Sequence, residues 1–379
     1  MKIGFVSRFN PLDKRSWSGT TYYTYQQIKK NYEVDIFNYK WTWRVREWLT
    51  MQKSLNRKLF KKNTVVEFLS SYARYFSKQL EKDLEKRPVD VLFVSASSQF
   101  IAYAETKIPI IYMTDATFKQ LQGYYSYFSN LPSYNTRQGI ELDRKAFQKA
   151  AHCMLASEWC KDSAVNDYEI DANRISVIPC GANLDIIPPV SQLDMKASGQ
   201  CRLLFLGVEW DRKGGEIALE TFRLLKQRGV DPHLYIIGCT PPHDLSGEKQ
   251  ITIIPFLDKN KPEEFQQLEK IFFQTDFLLL PTRAECAGVV FSESSAYGIP
   301  SITTHTGGVS TYVKDNINGF TVPVEAGADL YAKRIEQLVS DQAAMQNLKR
   351  SSRNYYDERL NWDKWGNRFK EIAEQLVSH

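Results

Sequence analysis

The sequence lacks several patterns that define other classes of protein. None of its six cysteines forms a Cys-x-x-Cys pair, and their spacing suggests neither a zinc site nor a disulfide framework. No apolar run reaches the length of a membrane-spanning helix, and the first residues lack the apolar stretch of a signal peptide. Its five histidines form no ligand grouping, and no Asp-x-Asp occurs. We therefore expect a cytoplasmic chain with reduced thiols, no metal and no bound cofactor.

The composition is that of a folded protein larger than one ordinary core. Hydrophobic residues make up 43% and charged residues 25% of the 379 positions, which predicts two domains. The charge is unevenly spread, because residues 1–190 carry 27 Lys and Arg against 19 Asp and Glu, whereas the remainder carries 22 against 25. An anionic partner is therefore expected to meet the first half of the chain.

Twelve short apolar runs, separated by segments of helix length, predict β-strands. They are rich in Val and Ile and mostly free of charge, which is typical of parallel strands buried on both faces. Their sequence positions fall into two series: 3–7, 34–39, 89–96, 108–114, 153–157 and 175–180, then 202–207, 233–238, 251–256, 277–281, 300–305 and 319–323. Two such series predict an α/β protein with two doubly wound parallel sheets.

A proline pair followed by a polar stretch, within residues 183–200, predicts the domain boundary. We assign residues 1–187 to the first domain and 188–357 to the second. The tail, 358–379, has the apolar spacing of an amphipathic helix, and we expect it to return to the first domain through Trp362 and Trp365.

The most informative stretch contains two glutamates after a buried strand. Glu285 lies in the turn that follows the strand, Gly288 opens a helix, and Glu293 lies within that helix. Ligands of open α/β sheets bind beyond the carboxyl ends of strands, where the amides near Ala287, Gly288, Val289 and Val290 could hold a diphosphate. The glutamates could accept hydrogen bonds from sugar and ribose hydroxyls. The alternative is that both are solvated charges at a helix end.

The glutamate pair and the Gly-x-Pro strand after it resemble the donor site of glycosyltransferase family 4. The resemblance implies the GT-B architecture of two facing Rossmann-like domains. It implies that Glu285 contacts the donor sugar and that Glu293 holds the ribose. The family's usual Phe-Gly is Ala287-Gly288 in this chain. The implied activity is retaining, metal-independent transfer of a hexose from a UDP- or GDP-sugar to a glycan, lipid-linked or other hydroxyl acceptor, as in polysaccharide biosynthesis.

A basic doublet opens the second series of strands. Arg212 and Lys213 are predicted to lie in a loop before Gly214, where two cations could clamp a diphosphate and stabilise the departing nucleotide. The loop is similar to the family's phosphate loop, although Val208 stands where the family usually has an arginine. The alternative is an exposed loop with two surface cations. We predict catalytic roles for Arg212, Lys213, Glu285 and, in the first domain, Asp115.

The first domain contributes two further candidates. Gly19 and Thr20 are predicted donor-binding residues, because they lie at a helix start whose backbone N–H groups could bind a phosphate or sugar. They resemble the glycine turn that closes the family's cleft from the acceptor side, and the alternative is a plain Ser/Thr-capped helix. Asp115 follows a strand where the family often has His-Asp, with Thr114 in the histidine's place. It could bond a sugar or acceptor hydroxyl, or it could cap a helix. Ser157 is expected to cap a helix near the cleft.

Residues 40–62 interleave three tryptophans with eight basic residues around the single acidic residue Glu47. On a helix this pattern could rest on an anionic membrane, which would make the protein peripheral on the inner face of the membrane. The alternative is an amphipathic helix with a solvated basic face.

Three other functions compete with this interpretation of the sequence. A nucleotide-sugar 2-epimerase would share the architecture. A basic nucleic-acid-binding or membrane-binding protein would explain residues 40–62 but not the glutamate pair, so we expect no nucleic-acid partner. An NAD-dependent dehydrogenase needs a Gly-x-Gly-x-x-Gly turn after a strand, and neither half has one.

Overall fold

The protein was analysed as a computed structural model. The structure describes residues 1–39, 47, 50–51, 53–54, 57–58, 61–193 and 201–378. It divides into two compact units, which we call the first domain (Met1–Ile178 with Trp365–His379) and the second domain (Pro179–Lys364). Each is described by itself.

The first domain contains a six-stranded sheet in which every neighbouring pair is parallel. Its strands are β1 (Lys2–Ser7), β2 (Glu33–Phe37), β3 (Val91–Ser95), β4 (Ile110–Thr114), β5 (His152–Leu155) and β6 (Ile175–Val177), in the order β2-β1-β3-β4-β5-β6. The six strands predicted for this half are confirmed. The inner strands β3 and β4 are buried along their whole length, as expected for apolar runs covered on both faces.

Helices connect these strands, as parallel pairing requires. In the described part of this domain they are α1 (Thr20–Lys29), α2 (Ser70–Lys86), α3 (Ser98–Ile101), α4 (Phe118–Leu121), α5 (Ser133–Lys149) and α6 (Glu158–Asn166). Helix α6 begins where predicted, because the Ser157 side chain accepts a hydrogen bond from the amide of Cys160.

The second domain repeats the plan with a second parallel sheet. Its strands are β7 (Cys201–Leu206), β8 (Pro232–Ile237), β9 (Ile251–Ile254), β10 (Phe277–Leu280), β11 (Ser301–Thr304) and β12 (Gly319–Val322), in the order β12-β11-β10-β7-β8-β9. All six were predicted. The order reverses between β7 and β10, so the loops that follow these two strands flank a topological switch point, where open sheets bind ligands.

Helices also connect the strands of the second domain. They are α7 (Trp210–Lys213), α8 (Gly215–Gln227), α9 (Pro262–Gln274), α10 (Val289–Ala296), α11 (Val309–Tyr312), α12 (Ala328–Ser340) and α13 (Gln342–Arg359). Helix α8, for example, buries Ala218, Leu219, Phe222 and Leu225, which share one face of a 3.6-residue period.

The division between the domains falls earlier than the sequence predicted. Residues 179–187, which we had assigned to the first domain, belong to the second. The reason lies in their hydrogen bonds: the Cys180 amide donates to the Tyr312 hydroxyl at 2.9 Å, and the Cys180 carbonyl accepts from Ser292 at 2.8 Å. These bonds fix the start of the segment to α10 and α11.

The division between the two domains falls within the last helix, α14 (Trp362–Val377), after Lys364. Trp365 and Phe369 stack on each other and pack edge-on against Phe93 of β3, as expected of a helix that returns to the first domain. Trp362 differs from the prediction, because it belongs to the second domain and donates its indole N–H to Asn183 at 3.1 Å. In the described residues, no helix combines the length and the apolar character needed to cross a membrane.

Candidate functional site

The loops after β7 and β10 are joined at the switch point of the second domain. The main-chain carbonyl of Arg212 accepts a hydrogen bond from the amide of Arg283 at 2.7 Å and from the hydroxyl of Thr282 at 3.2 Å. Residues 72 positions apart in the chain, Lys213 and Glu285, are thereby brought within contact distance.

Arg212 and Lys213 lie in the short helix α7, so the predicted loop is wrong for these two residues. The helix ends at Gly214, which has a left-handed backbone (φ +76°). A side chain at this position would collide with the carbonyl group of Pro281, whose carbon would lie 2.7 Å from the added Cβ. Glycine therefore serves both to end the helix and to let the two loops approach closely.

Lys213 and Glu285 form a buried ion pair. Arg212 lies beside it: one guanidinium nitrogen donates to the Ala284 carbonyl at 2.8 Å and stands 3.9 Å from the Glu285 carboxylate, and Nε donates to Glu209 at 2.7 Å. A carboxylate withdrawn from water is stable only with a partner. The alternative reading of Glu285 as a solvated helix-end charge is therefore wrong.

Glu293 is buried as well, and it is paired with a second lysine. Nζ of Lys259 lies 2.5 Å from Glu293 Oε1 and 3.3 Å from the main-chain carbonyl of Asn183. Lys259 follows β9 at the carboxyl edge of the sheet, and its side chain is 18% exposed against 5% for Glu293. The second glutamate is therefore not a solvated charge either.

Helix α10 begins between the two glutamates. Gly288 precedes it with φ +81°, and a Cβ there would lie 2.6 Å from the ring of Phe291 and 3.1 Å from Cγ of Glu285. Ala287 is buried, whereas Val289 and Val290 at the start of the helix are partly exposed. A helix N-terminus presents amide N–H groups and a partial positive charge, so this end of α10 can accept an anion.

The predicted residues of the first domain also follow strand ends. Gly19 (φ +92°) and Thr20 stand at the start of α1, and the 3-10 turn before them ends at Gly19. The N-cap residue of α1 is Gly19, which has no side chain, so the alternative of a Ser or Thr at the N-cap is wrong. Asp115 follows β4 directly.

Asp115 does not cap a helix, which excludes the alternative for that residue. The next helix, α4, is capped by Thr117, whose side chain accepts from the Gln120 amide while Gln120 reaches back to the Thr117 amide. The predicted sugar or acceptor contact of Asp115 stays a prediction.

A buried carboxylate lies next to α4. Asp143 accepts a hydrogen bond from the Phe118 amide at 2.5 Å, and burial raises the pKa of Asp143 to about 6. Hydrogen bonds from Ser98 and the Phe118 amide act in the opposite direction and lower this pKa. The Asp143 side chain therefore holds the start of α4 through the Phe118 amide.

Lys259 is not among the site residues predicted from the sequence. Its only sequence signal is its position shortly after a predicted strand, where ligand-binding residues collect. The three tryptophans of 40–62 and the basic residues at positions 40, 44 and 46 lie outside the described residues, so the membrane hypothesis for this segment stays a prediction. Within the part of the chain that the structure describes, no group of three or more His, Cys, Asp or Glu side chains could hold a metal ion.

Two family models match this chain. The model for Glycosyltransferase Family 4 matches residues 20–186, and the model for Glycosyl transferases group 1 matches residues 195–355. Together they cover every strand of the two sheets except β1, and they include the switch-point residues. The chain belongs to glycosyltransferase family 4.

Curated relatives of this family 4 chain include D-inositol 3-phosphate glycosyltransferases. The protein of Corynebacterium diphtheriae is 26% identical over 205 residues, which is 48% of this chain and 47% of the relative. The protein of Paenarthrobacter aurescens is 25% identical over 230 residues, 56% of this chain and 55% of the relative. The chain spans about half the length of the curated relatives it matches.

Solved structures of similar fold cover the whole chain. Sucrose-phosphate synthase from Thermosynechococcus elongatus has a TM-score of 0.70 at 15% identity, covering 100% of this chain and 99% of the other. The Anabaena protein Alr3699/HepE, solved in complex with UDP and glucose, has a TM-score of 0.65 at 14% identity and covers 100% of both chains. The α/β, GT-B fold class predicted from the sequence is confirmed.

Proposed function

We propose that this protein is a retaining glycosyltransferase that moves a sugar from a UDP- or GDP-sugar to a hydroxyl acceptor without a metal ion. The observation that carries the proposal is the pair of buried glutamates, each held by a lysine, on either side of the α10 N-terminus. Family membership supports sugar transfer, and the neighbour solved with UDP and glucose supports a nucleotide-linked donor.

The donor's diphosphate would bind between the start of α10 and the cations of α7. The main-chain amides of Val289 and Val290, two partly exposed residues, would donate to phosphate oxygens, and the helix dipole would favour the negative charge. Lys213 and Arg212 would stabilise the charge that develops on the diphosphate as it leaves. Gly288 would let the phosphate approach the main chain, which a Cβ would crowd.

The glutamates would bind the two sugars of the donor. Glu285, next to Lys213, would accept hydrogen bonds from hydroxyls of the transferred sugar, and Lys213 could then share its charge between this carboxylate and the diphosphate. Glu293, deeper in α10, would accept from the ribose diol. Because both carboxylates are buried, hydrogen bonds to them would orient the donor as well as add affinity.

The proposed chemistry is a displacement on one face of the sugar. The acceptor oxygen forms a bond to the anomeric carbon, and the bond from that carbon to the phosphate oxygen breaks with its electrons going to the diphosphate. The acceptor proton passes to a phosphate oxygen, so no carboxylate nucleophile is needed. The anomeric configuration is retained.

A glycan or a lipid-linked sugar is the proposed acceptor class, with Asp115 and the turn at Gly19 and Thr20 on the acceptor side. The proposed location is the cytoplasm, with residues 40–62 on an anionic membrane surface. Flotation with anionic vesicles tests the membrane contact, and vesicles that float without the protein would contradict it.

The first experiment is a thermal-shift screen with UDP, GDP and ADP, followed by their sugar conjugates, each with and without EDTA. One nucleotide is expected to raise the melting temperature by several degrees, equally with the chelator. Glu293→Gln is the matched variant, and it should lose most of the shift. No shift with any nucleotide would refute the proposal.

The second experiment is product analysis with the donor so identified. Transfer to an added acceptor with an unchanged anomeric proton coupling in NMR would support retention, and an inverted coupling would contradict it. A free epimerised sugar formed without acceptor would instead identify a nucleotide-sugar 2-epimerase.

A further inference from the structure

Lys259 pairs with a proposed donor-binding glutamate, Glu293, but neither the family resemblance nor the proposed chemistry uses this lysine. It lies after β9, whereas its partner Glu293 lies 34 residues further along the chain in α10. We propose that Lys259 is a positioning residue that orients the Glu293 carboxylate toward the 2′,3′-diol of a nucleoside diphosphate. This inference rests on the proposed function, which gives Glu293 its ribose contact.

The contacts of Lys259 fix its ammonium group beside the Glu293 carboxylate. Nζ of Lys259 lies 2.5 Å from Oε1 of Glu293 and 3.3 Å from the Asn183 carbonyl, so the ammonium is fixed by two acceptors on different segments. An ammonium has three N–H donors, and a carboxylate can accept about four hydrogen bonds over its two oxygens. Lys259 can therefore hold one oxygen in place while hydroxyl groups bind the other.

The loop that carries Lys259 is held by its own hydrogen bonds. The Asp258 amide donates to Glu264 of α9 at 2.6 Å, and the Asp258 carboxylate accepts from the amide and the side chain of Asn260, both at 2.9 Å. These bonds fix the residues on either side of Lys259. A lysine that merely neutralised surface charge would not need such a framework.

Asn183, the second acceptor of the Lys259 ammonium group, is also held in place. Asn183 is fully buried, its carbonyl accepts from Lys259, and its side-chain oxygen accepts from Trp362. Glu293 is 5% exposed, so a lysine held on both sides keeps a buried carboxylate in one orientation at little entropic cost on ligand binding.

The test compares ribonucleotides with deoxyribonucleotides, because only the former offer a complete diol. Dissociation constants are measured by calorimetry for UDP, 2′-deoxy-UDP, GDP and 2′-deoxy-GDP with wild type, Lys259→Met, Lys259→Arg and Lys259→Met/Glu293→Gln. Lys261→Met is the matched control, since Lys261 lies in the same loop but is exposed and pairs with Glu264.

We expect Lys259→Met to weaken binding of the preferred ribonucleotide about tenfold or more, the effect of a hydrogen bond to a charged group. The deoxynucleotide should be affected much less, so the preference for ribose falls. Lys259→Arg should restore most of that preference, and Lys261→Met should leave it unchanged. In the double variant, Lys259→Met should add little to the loss caused by Glu293→Gln. Donor KM should rise with kcat nearly unchanged.

Equal losses for ribonucleotide and deoxynucleotide, an additive double variant, or wild-type binding by Lys259→Met would each overturn the positioning role and leave the proposed function standing. A wild-type protein that binds none of the four nucleotides would overturn both. If Lys259→Met does not fold, Lys259→Gln, which keeps N–H donors without the charge, carries the same comparison under the same criteria.

Discussion

Replacing Gly214 by alanine should damage the site through one added carbon atom. Gly214 ends α7 with a left-handed backbone, which costs an L-residue about 1–2 kcal/mol. The new Cβ would also meet the main chain of Pro281, which cannot rotate away, and such overpacking costs about 1–3 kcal/mol. We therefore expect Gly214→Ala to lower the free energy of unfolding by about 2–5 kcal/mol.

The matched control is Gly229→Ala. Gly229 also has a left-handed backbone (φ +83°) in the second domain, but nothing lies within 4 Å of an added Cβ. It should lose only the conformational part, about 1–2 kcal/mol. The difference between the two variants isolates the collision with Pro281.

Urea unfolding followed by tryptophan fluorescence measures both losses, and donor kinetics measure the consequence for the site. Pro281 leads into the loop that carries Glu285, so its displacement should separate Glu285 from Lys213. A misplacement of about 1 Å can cost on the order of 100-fold in rate. Equal losses of stability in the two variants, or wild-type kinetics in Gly214→Ala, would refute the reasoning.

Three further predictions follow from the buried charges. Lys213→Ala removes the partner of Glu285, so kcat should fall; Lys213→Arg should recover part of it, and an unchanged kcat in the alanine variant would contradict the assigned role. Glu293→Ala should raise the donor KM, measured by initial rates over a donor series, and an unchanged KM would contradict the ribose contact. Asp143→Asn tests a pH effect: because burial raises the pKa of Asp143 from 3.8 to about 6, the stability it contributes is present below pH of about 4 and is lost as the pH rises to about 6. Between pH 4 and pH 7, the stability of Asp143→Asn relative to wild type should increase by about 2 kcal/mol in unfolding measurements, and no change with pH would contradict the buried position.

The positions of the strands could be read from the chain because a parallel strand covered on both faces must be apolar along its length. The run at 277–281 and the strand Phe277–Leu280 show how close this correspondence is. The helix at α7 was missed because four residues carry too little periodicity to be distinguished from a loop. The early domain boundary was missed because the bonds of Cys180 join it to residues more than 100 positions away.

The amino-acid sequence by itself determined the two parallel sheets, the turn glycines and the presence of two glutamates near a helix start. These features depend on local pattern: apolar runs, chain reversals and the spacing along one segment. The tertiary structure alone decided which lysine meets which glutamate. Lys213 and Glu285 meet because β7 and β10 are neighbours in the sheet although two strands separate them in the chain. Lys259 reaches Glu293 across the same edge, and its position after a strand does not indicate which carboxylate it meets. Burial supplies the physical reason, since a carboxylate removed from water requires a cation that only the folded chain can bring to it.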